Sequence, residues 1–296
     1  MKAIFPGSFD PFHNGHRCIM EQAAELFEDV TVLVCDNPNK KHLFDLTTRA
    51  SMIQGLPVAV CNTSVADYAR THSYEYIIRG MDGDLFEQGL KLLDPSLKLI
   101  YFPRGEASSS IIRSLVGLPG WVKAISPLVD SHVMCQLKYY WLQKLVGEKA
   151  FKHAASKLDR PYHNLTHAVD VFYKCTKQTR EVALAALYHD TCGTPEESVC
   201  YYGGCSNIVM QLIRATDHLK EVEADSSGII AADLSILSSE WPEYKKYVTL
   251  LREEYPMSDE DWGKLRSEFM SKLLETRKGY LPAKARDNIR REISEY

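Results

Sequence analysis

Apolar positions in the first 129 residues fall into short β-branched runs that alternate with amphipathic stretches. KAIF, VTVLVC, PVAVC, YIIRG and LKLIYF read as strands, and HRCIMEQAAELF, TTRASMIQGL, VADYART, FEQGLKLL and SSIIRSLV as the helical segments around them. That rhythm predicts a parallel sheet wrapped by helices, the α/β class. From about residue 132 the β-rich runs stop. Longer helical patterns take over, among them VMCQLKYYWLQKLV, REVALAALYHD, NIVMQLIRATDHL, WGKLRSEFMSKLLE and ARDNIRREI, so the second half reads as all-α. Gly120, Pro127 and the change of period coincide in GWVKAISPLVDSHV. Two domains are therefore expected, residues 1–131 and 132–296.

Composition narrows the setting. With 296 residues, 45% hydrophobic and 25% charged, the chain has enough apolar material for two cores. A net charge of -4 supplies no long-range pull toward nucleic-acid polymer or anionic membrane, which leaves small phosphorylated molecules as the fitting partners. The eight cysteines are scattered without paired metal-type spacing, as in a reducing compartment. No secretory signal core and no bilayer-length apolar stretch is visible, so a cytoplasmic protein is expected.

The segment PGSFDPFHNGH, residues 6 to 16, stands directly after the first strand and before the first helix. Gly7 is expected to let the chain turn tightly and expose backbone N–H groups. His13 and His16 lie three apart, with His16 at the start of a helix whose positive dipole end suits anions. Such a loop can cradle a nucleoside triphosphate.

This segment resembles the GxFDPxHxGH signature of the nucleotidyltransferase superfamily, on a Rossmann-like α/β fold. The resemblance continues in the pattern of the phosphopantetheine adenylyltransferases through NPNKKHLF, VADYAR, IIRG, YFPRGEASSSIIR and the tail WVKAISPLV, over about residues 1 to 130. It implies transfer of AMP from ATP, with Mg2+, to 4'-phosphopantetheine, and assembly as a homo-oligomer. Carried over by motif, Ser8 and Lys40 hold the acceptor phosphate, and His16 meets the α-phosphate as the transition state forms. Gly7, Phe9, His13, Arg79, Gly80, Ser108, Ser109, Ser110 and Arg113 bind nucleotide, with Arg79 also counted as catalytic. One departure stands out: Asp82 occupies the place of an expected phosphate-binding arginine, a charge reversal that Arg104 or Arg113 would have to offset.

In the second half, RPYHNLTHAVDV is expected to set His163 and His167 on one helical face, with Asp170 a turn further on. ALAALYHDTCG places His189 and Asp190 at the end of an apolar helix, and IIAADLSIL delivers Asp233. Buried acids and imidazoles need partners, and a metal ion serves both. The order H, HD, D resembles the HD-superfamily phosphohydrolases over about residues 148 to 296. It implies that His167, His189, Asp190 and Asp233 ligate one or two divalent metals (Mn, Fe, Mg, Ni or Zn). In this resemblance His163 is catalytic, protonating the leaving oxygen of a small phosphorylated substrate, while His218 and Glu196 or Glu197 contact substrate or ligands.

Three functions compete: a bifunctional adenylyltransferase and phosphohydrolase, a hydrolase governed by a nucleotide-sensing first half, and adenylyl transfer to another acceptor such as nicotinamide mononucleotide.

Overall fold

The computed structural model describes residues 1–296 except 38, 39, 82–93, 104, 106 and 221–226. Asp82, Arg104 and the stretch FEQGLKLL therefore lie outside the described residues. The described chain divides into two compact units, Met1–Lys138 and Tyr139–Tyr296.

The first unit is a five-stranded, all-parallel sheet formed by β1 (Lys2–Gly7), β2 (Asp29–Cys35), β3 (Val58–Cys61), β4 (Tyr76–Gly80) and β5 (Lys98–Phe102), in the order β3-β2-β1-β4-β5. Register pairs Ile4 with both Thr31 and Ile77, so β1 lies at the centre. Alternation along β1 sends Ala3 and Phe5 into one apolar layer with Val32, Val34 and Ile78. Ile4 enters the opposite layer with Leu33 and Ile77. Both faces are thus covered, as a parallel sheet requires. Helices α1 (Asn14–Ala24), α2 (Leu46–Ser51) and α3 (Val65–Thr71) follow β1, β2 and β3, while α4 (Ser109–Leu115) and α5 (Trp121–Ile125) follow β5. The strand order reverses between β1 and β4, and ligands in open α/β sheets bind beyond the carboxyl ends of strands at such a point.

The tail after α5 turns back to the start of α1. The Asn14 N–H donates to the Leu128 carbonyl at 2.9 Å, and its side-chain amide donates to Pro127 O at 3.0 Å. Arg17, on the next turn of α1, pairs with Asp130.

The second unit is helical. The helix α6 (Ser131–Val146) spans the division, and α7 (Glu148–Ala155), α8 (Leu165–Lys174), α9 (Arg180–Tyr188), α10 (Pro195–Tyr202) and α11 (Asn207–Ala215) follow. Next come α12 (Ile229–Asp233), a 3-10 turn at Leu234–Ser238, α13 (Trp241–Glu253), α14 (Asp259–Thr276) and α15 (Ala283–Ile293). At the centre is α9, whose residues from Val182 to Tyr188 are all buried, and a helix apolar all round belongs in a core. Around it pack Ala168 and Phe172 of α8, Val209 and Ile213 of α11, and Ile229 and Ile230 of α12.

One polar network lies inside this apolar mass. The buried Arg266 donates through Nε to Glu292 at 2.9 Å and through Nη2 to the Tyr247 hydroxyl at 2.8 Å. The Tyr244 hydroxyl donates to the second Glu292 oxygen at 2.5 Å. A buried cation so closely matched by a carboxylate ties α13, α14 and α15 together.

No helix among the described residues is long and apolar enough to cross a membrane.

Candidate functional site

At the carboxyl ends of β1 and β4 the first unit opens a cavity of about 430 Å³. It draws together Gly7, Ser8, Phe9, His13 and His16 from the loop after β1, Lys40 from the loop after β2, and Arg79 and Gly80 from the end of β4. Ser108, Ser109, Ser110 and Arg113 close the other side. Every described residue expected to bind nucleotide or acceptor thus lines one cavity.

Gly7 itself does not make the turn. The positive backbone angle falls at Phe9, with φ 48°, rather than at Gly7, which ends β1 in regular register with Val34. A Cβ on Gly7 would come within 2.8 Å of the Phe9 ring, so the glycine makes room for that ring. Phe9 in turn stacks edge-on to His16 with ring centroids 4.9 Å apart.

His13 is the residue before α1, and its N–H donates to His16 Nδ1 at 3.3 Å. In a neutral imidazole that acceptor role leaves the proton on Nε2, so His16 carries a donor suited to a phosphate oxygen.

Three residues outside the expected set shape this cavity. Asp10, 1% exposed, accepts from the Leu43 N–H at 2.7 Å and the Phe44 N–H at 3.1 Å, and so anchors the loop that carries Lys40. Arg49, equally buried, donates to the carbonyls of Ser8, Cys35 and Phe44 and pairs with Asp36. His42 lines the cavity with Nδ1 3.7 Å from Asp10.

Two expected nucleotide ligands already serve the wall. Ser109 Oγ donates to Pro11 O at 3.0 Å, while Arg113 donates to the Asp10 carbonyl and, at 3.1 Å, to Ser110 Oγ.

The second unit holds the other site. One ligand atom from each of His167, His189, Asp190 and Asp233 lies within 4.8 Å of the others. Asn164 caps α8 by accepting the His167 N–H at 3.1 Å, which holds His167 in the first turn. His189 ends α9, and its Nδ1 lies 2.9 Å from Ala186 O, a contact that keeps a proton on Nδ1 and makes Nε2 the nitrogen a metal ion would take, displacing its proton. Nε2 of His167 is 3.2 Å from Asp190 Oδ2 and 3.1 Å from Asp233 Oδ1, and Nε2 of His189 is 2.8 Å and 3.4 Å from the same oxygens. Both nitrogens are buried and make no aligned hydrogen bond.

Burial works against charge on all four groups, and their mutual attraction outweighs it. The carboxylates hold His167 above, and His189 well above, the usual histidine range. His189 and its neighbours hold Asp190 and Asp233 well below the carboxylate range. Two unaligned imidazole nitrogens between two ionised carboxylates make a mixed nitrogen and oxygen donor set that fits a divalent ion.

His163 departs from expectation. It precedes the Asn164 cap, so it is not on the face of α8 with His167. The turn brings it to the same place: its Nε2 is 3.9 Å from Asp190 Oδ2, and its Nδ1 is 2.6 Å from Glu254. Glu254, which sequence reasoning did not single out, also accepts the N–H groups of Tyr162 and His163 at 2.6 and 2.8 Å. Burial pushes its carboxyl up, but the His163 bonds prevail and lower it.

His218 Nε2 lies 2.9 Å from Asp233 Oδ2, so the two oxygens of Asp233 divide between His218 and the imidazole pair. Glu197 caps its own helix by accepting the Thr194 N–H at 3.1 Å, and it is Glu196 rather than Glu197 that lines the cavity. Glu196 pairs with Arg214 at 3.0 Å at the rim. Asp170 is outside the four-ligand cluster.

Comparison with known proteins covers the first unit. A cytidylyltransferase-like family model matches residues 4–115. The chain is 35% identical over 153 residues to a phosphopantetheine adenylyltransferase of Pasteurella multocida, an alignment covering 97% of that protein and 46% of this chain. It is 34% identical to the phosphopantetheine adenylyltransferases of Synechococcus sp. and Nautilia profundicola, covering 93% and 94% of those proteins and 46% and 43% of this chain.

Proposed function

This chain belongs, through its N-terminal unit, to the phosphopantetheine adenylyltransferase family, and from that premise we propose that it joins two activities: adenylyl transfer from ATP to 4'-phosphopantetheine, and metal-dependent hydrolysis of a phosphate ester by an HD-type helical unit.

For the first activity the supporting observation is the convergence of Ser8, His16, Lys40 and Arg79 on one cavity at the point where strand order reverses. The acceptor phosphate attacks the α-phosphorus of ATP. One P–O bond forms, the bridge to the β-phosphate breaks, and pyrophosphate leaves. No protein nucleophile is required, so rate comes from positioning and charge stabilisation. Ser8 and Lys40 hold the attacking phosphate, the Nε2–H of His16 meets charge growing on the α-phosphoryl oxygens, and Arg79 offsets charge on the nucleotide phosphates. Magnesium accompanies ATP as the ion of the substrate. Pyrophosphate release with ATP and 4'-phosphopantetheine is expected, and His16→Ala should lower kcat by roughly 10²- to 10³-fold, as loss of one preorganised donor does. Release that depends on nicotinamide mononucleotide instead would reassign the acceptor.

For the second activity the supporting observation is the pair of buried, unaligned Nε2 atoms of His167 and His189 facing Asp190 and Asp233. A divalent ion bound there supplies an acidified water and an electrophilic anchor for phosphate. The protein's own groups do the rest: His218 orients Asp233, Glu254 orients His163, and His163 delivers a proton to the leaving alcohol oxygen. Saturating Mn2+ at about a hundred times its dissociation constant should raise stability by about 2.7 kcal/mol. Asp190→Asn should abolish that gain together with phosphate release, and an unshifted melting curve in the unaltered protein would refute the metal site.

A further inference from the structure

Three of the four cluster residues, His189, Asp190 and Asp233, line a cavity of about 650 Å³, a size that takes a drug-sized molecule. A hydrolysable phosphate alone would leave most of that space empty. The remainder is walled chiefly by side chains of α13 and α14: Leu251, Trp262, Leu265, Phe269, Met270 and Leu273. Leu265, 44% exposed, faces the cavity outside the core, and Phe269, packed against the core on one side, is only partly buried and lines the cavity too.

Charge along the walls narrows the choice of ligand. Among the described residues the lining cations are Arg160, Lys220 and Arg266. Arg266 is matched by Glu292, and Lys220 pairs with Asp217 at 2.8 Å. Arg160 stands at the ligand-cluster end, 3.6 Å from Glu254 and donating to the Asp190 carbonyl. Among the described residues, the lining cations away from the cluster, Lys220 and Arg266, thus each already face a carboxylate, which disfavours a second or third phosphate there.

Resting on the metal-dependent reading of the cluster, we propose that the substrate of the helical unit is the phosphate monoester of an uncharged alcohol whose bulky group is a hydrocarbon, aliphatic or aromatic, rather than a nucleoside, held against Leu265 and Phe269. Water adds to phosphorus, the P–O bond to the alcohol breaks, and the alcohol leaves with a proton from His163. The apolar group remains on the wall of α14 while inorganic phosphate stays with the ligand cluster. Nucleoside triphosphates and dinucleotides are expected to bind more weakly, because the lining lysine and arginine away from the cluster already face carboxylates.

Calorimetric titration of the full chain with Mn2+ tests this, using methylphosphonate, 2-naphthylmethylphosphonate, AMP and the uncharged 2-naphthylmethanol. The His167→Ala chain provides the background from binding in the other unit. The naphthyl phosphonate should bind at least tenfold more tightly than methylphosphonate, and Leu265→Asp or Phe269→Asp should collapse that ratio. Equal affinities, tighter binding of AMP, or a ratio untouched by both substitutions would overturn the proposal. Naphthylmethanol binding without phosphonate binding would overturn it through the metal end, and phosphonate binding without naphthylmethanol binding would overturn it through the wall.

Discussion

Arg49 shows how much of the first cavity rests on single side chains that touch no ligand. Its guanidinium gathers carbonyls from the loop after β1, the end of β2 and the residue before the Asp45 cap. Arg49→Ala would strand those acceptors and cost roughly 2–3 kcal/mol, at the rate of about 1 kcal/mol or more for each unmet buried group. A urea titration should show this loss, and ATP affinity should fall with it because the Ser8 loop loses its tie. Nothing in the sequence marks Arg49, whose partners lie 5, 14 and 41 residues away. Glu254 was hidden for the same reason, being 91 residues from His163. His16, Lys40 and Arg79 were legible because their motifs stand at strand ends, where local pattern and site position coincide. The role of Gly7 is not legible locally, since the clash it avoids depends on a ring placed by folding.

At the scale of elements, the strands were the most legible feature, because alternation of Ala3, Ile4 and Phe5 between two layers follows from backbone geometry alone. Helix starts were less so. The Asn164 cap puts His163 outside α8, although spacing suggested one continuous face. Caps also carry pH dependence. Asp45 accepts the Thr48 N–H at 2.7 Å, and that bond lowers its carboxyl below the ordinary value despite slight burial. A lowered acid contributes stability above its unfolded value and loses it as pH falls through the folded one. Asp45→Ala should therefore cost about 1 kcal/mol at neutral pH. Repeated chemical denaturation in progressively acid buffer should show the gap between variant and parent closing, whereas a constant gap would assign the effect to something other than the ionised cap.

Across the described chain, each unit has apolar clusters of its own: residues 3–102 supply two, and residues 142–289 supply the third. Scanning calorimetry should accordingly resolve two transitions, with ATP raising one and Mn2+ the other. A single transition moved equally by both ligands would contradict this. The change of hydrophobic period near residue 130 announced that arrangement, but the sequence could not say that the tail from Pro127 to Asp130 returns to α1. Because the helical half keeps its own interior, a missense lesion that melts it need not silence the catalyst encoded upstream. The two traits can then be selected, and lost, on separate histories within one gene.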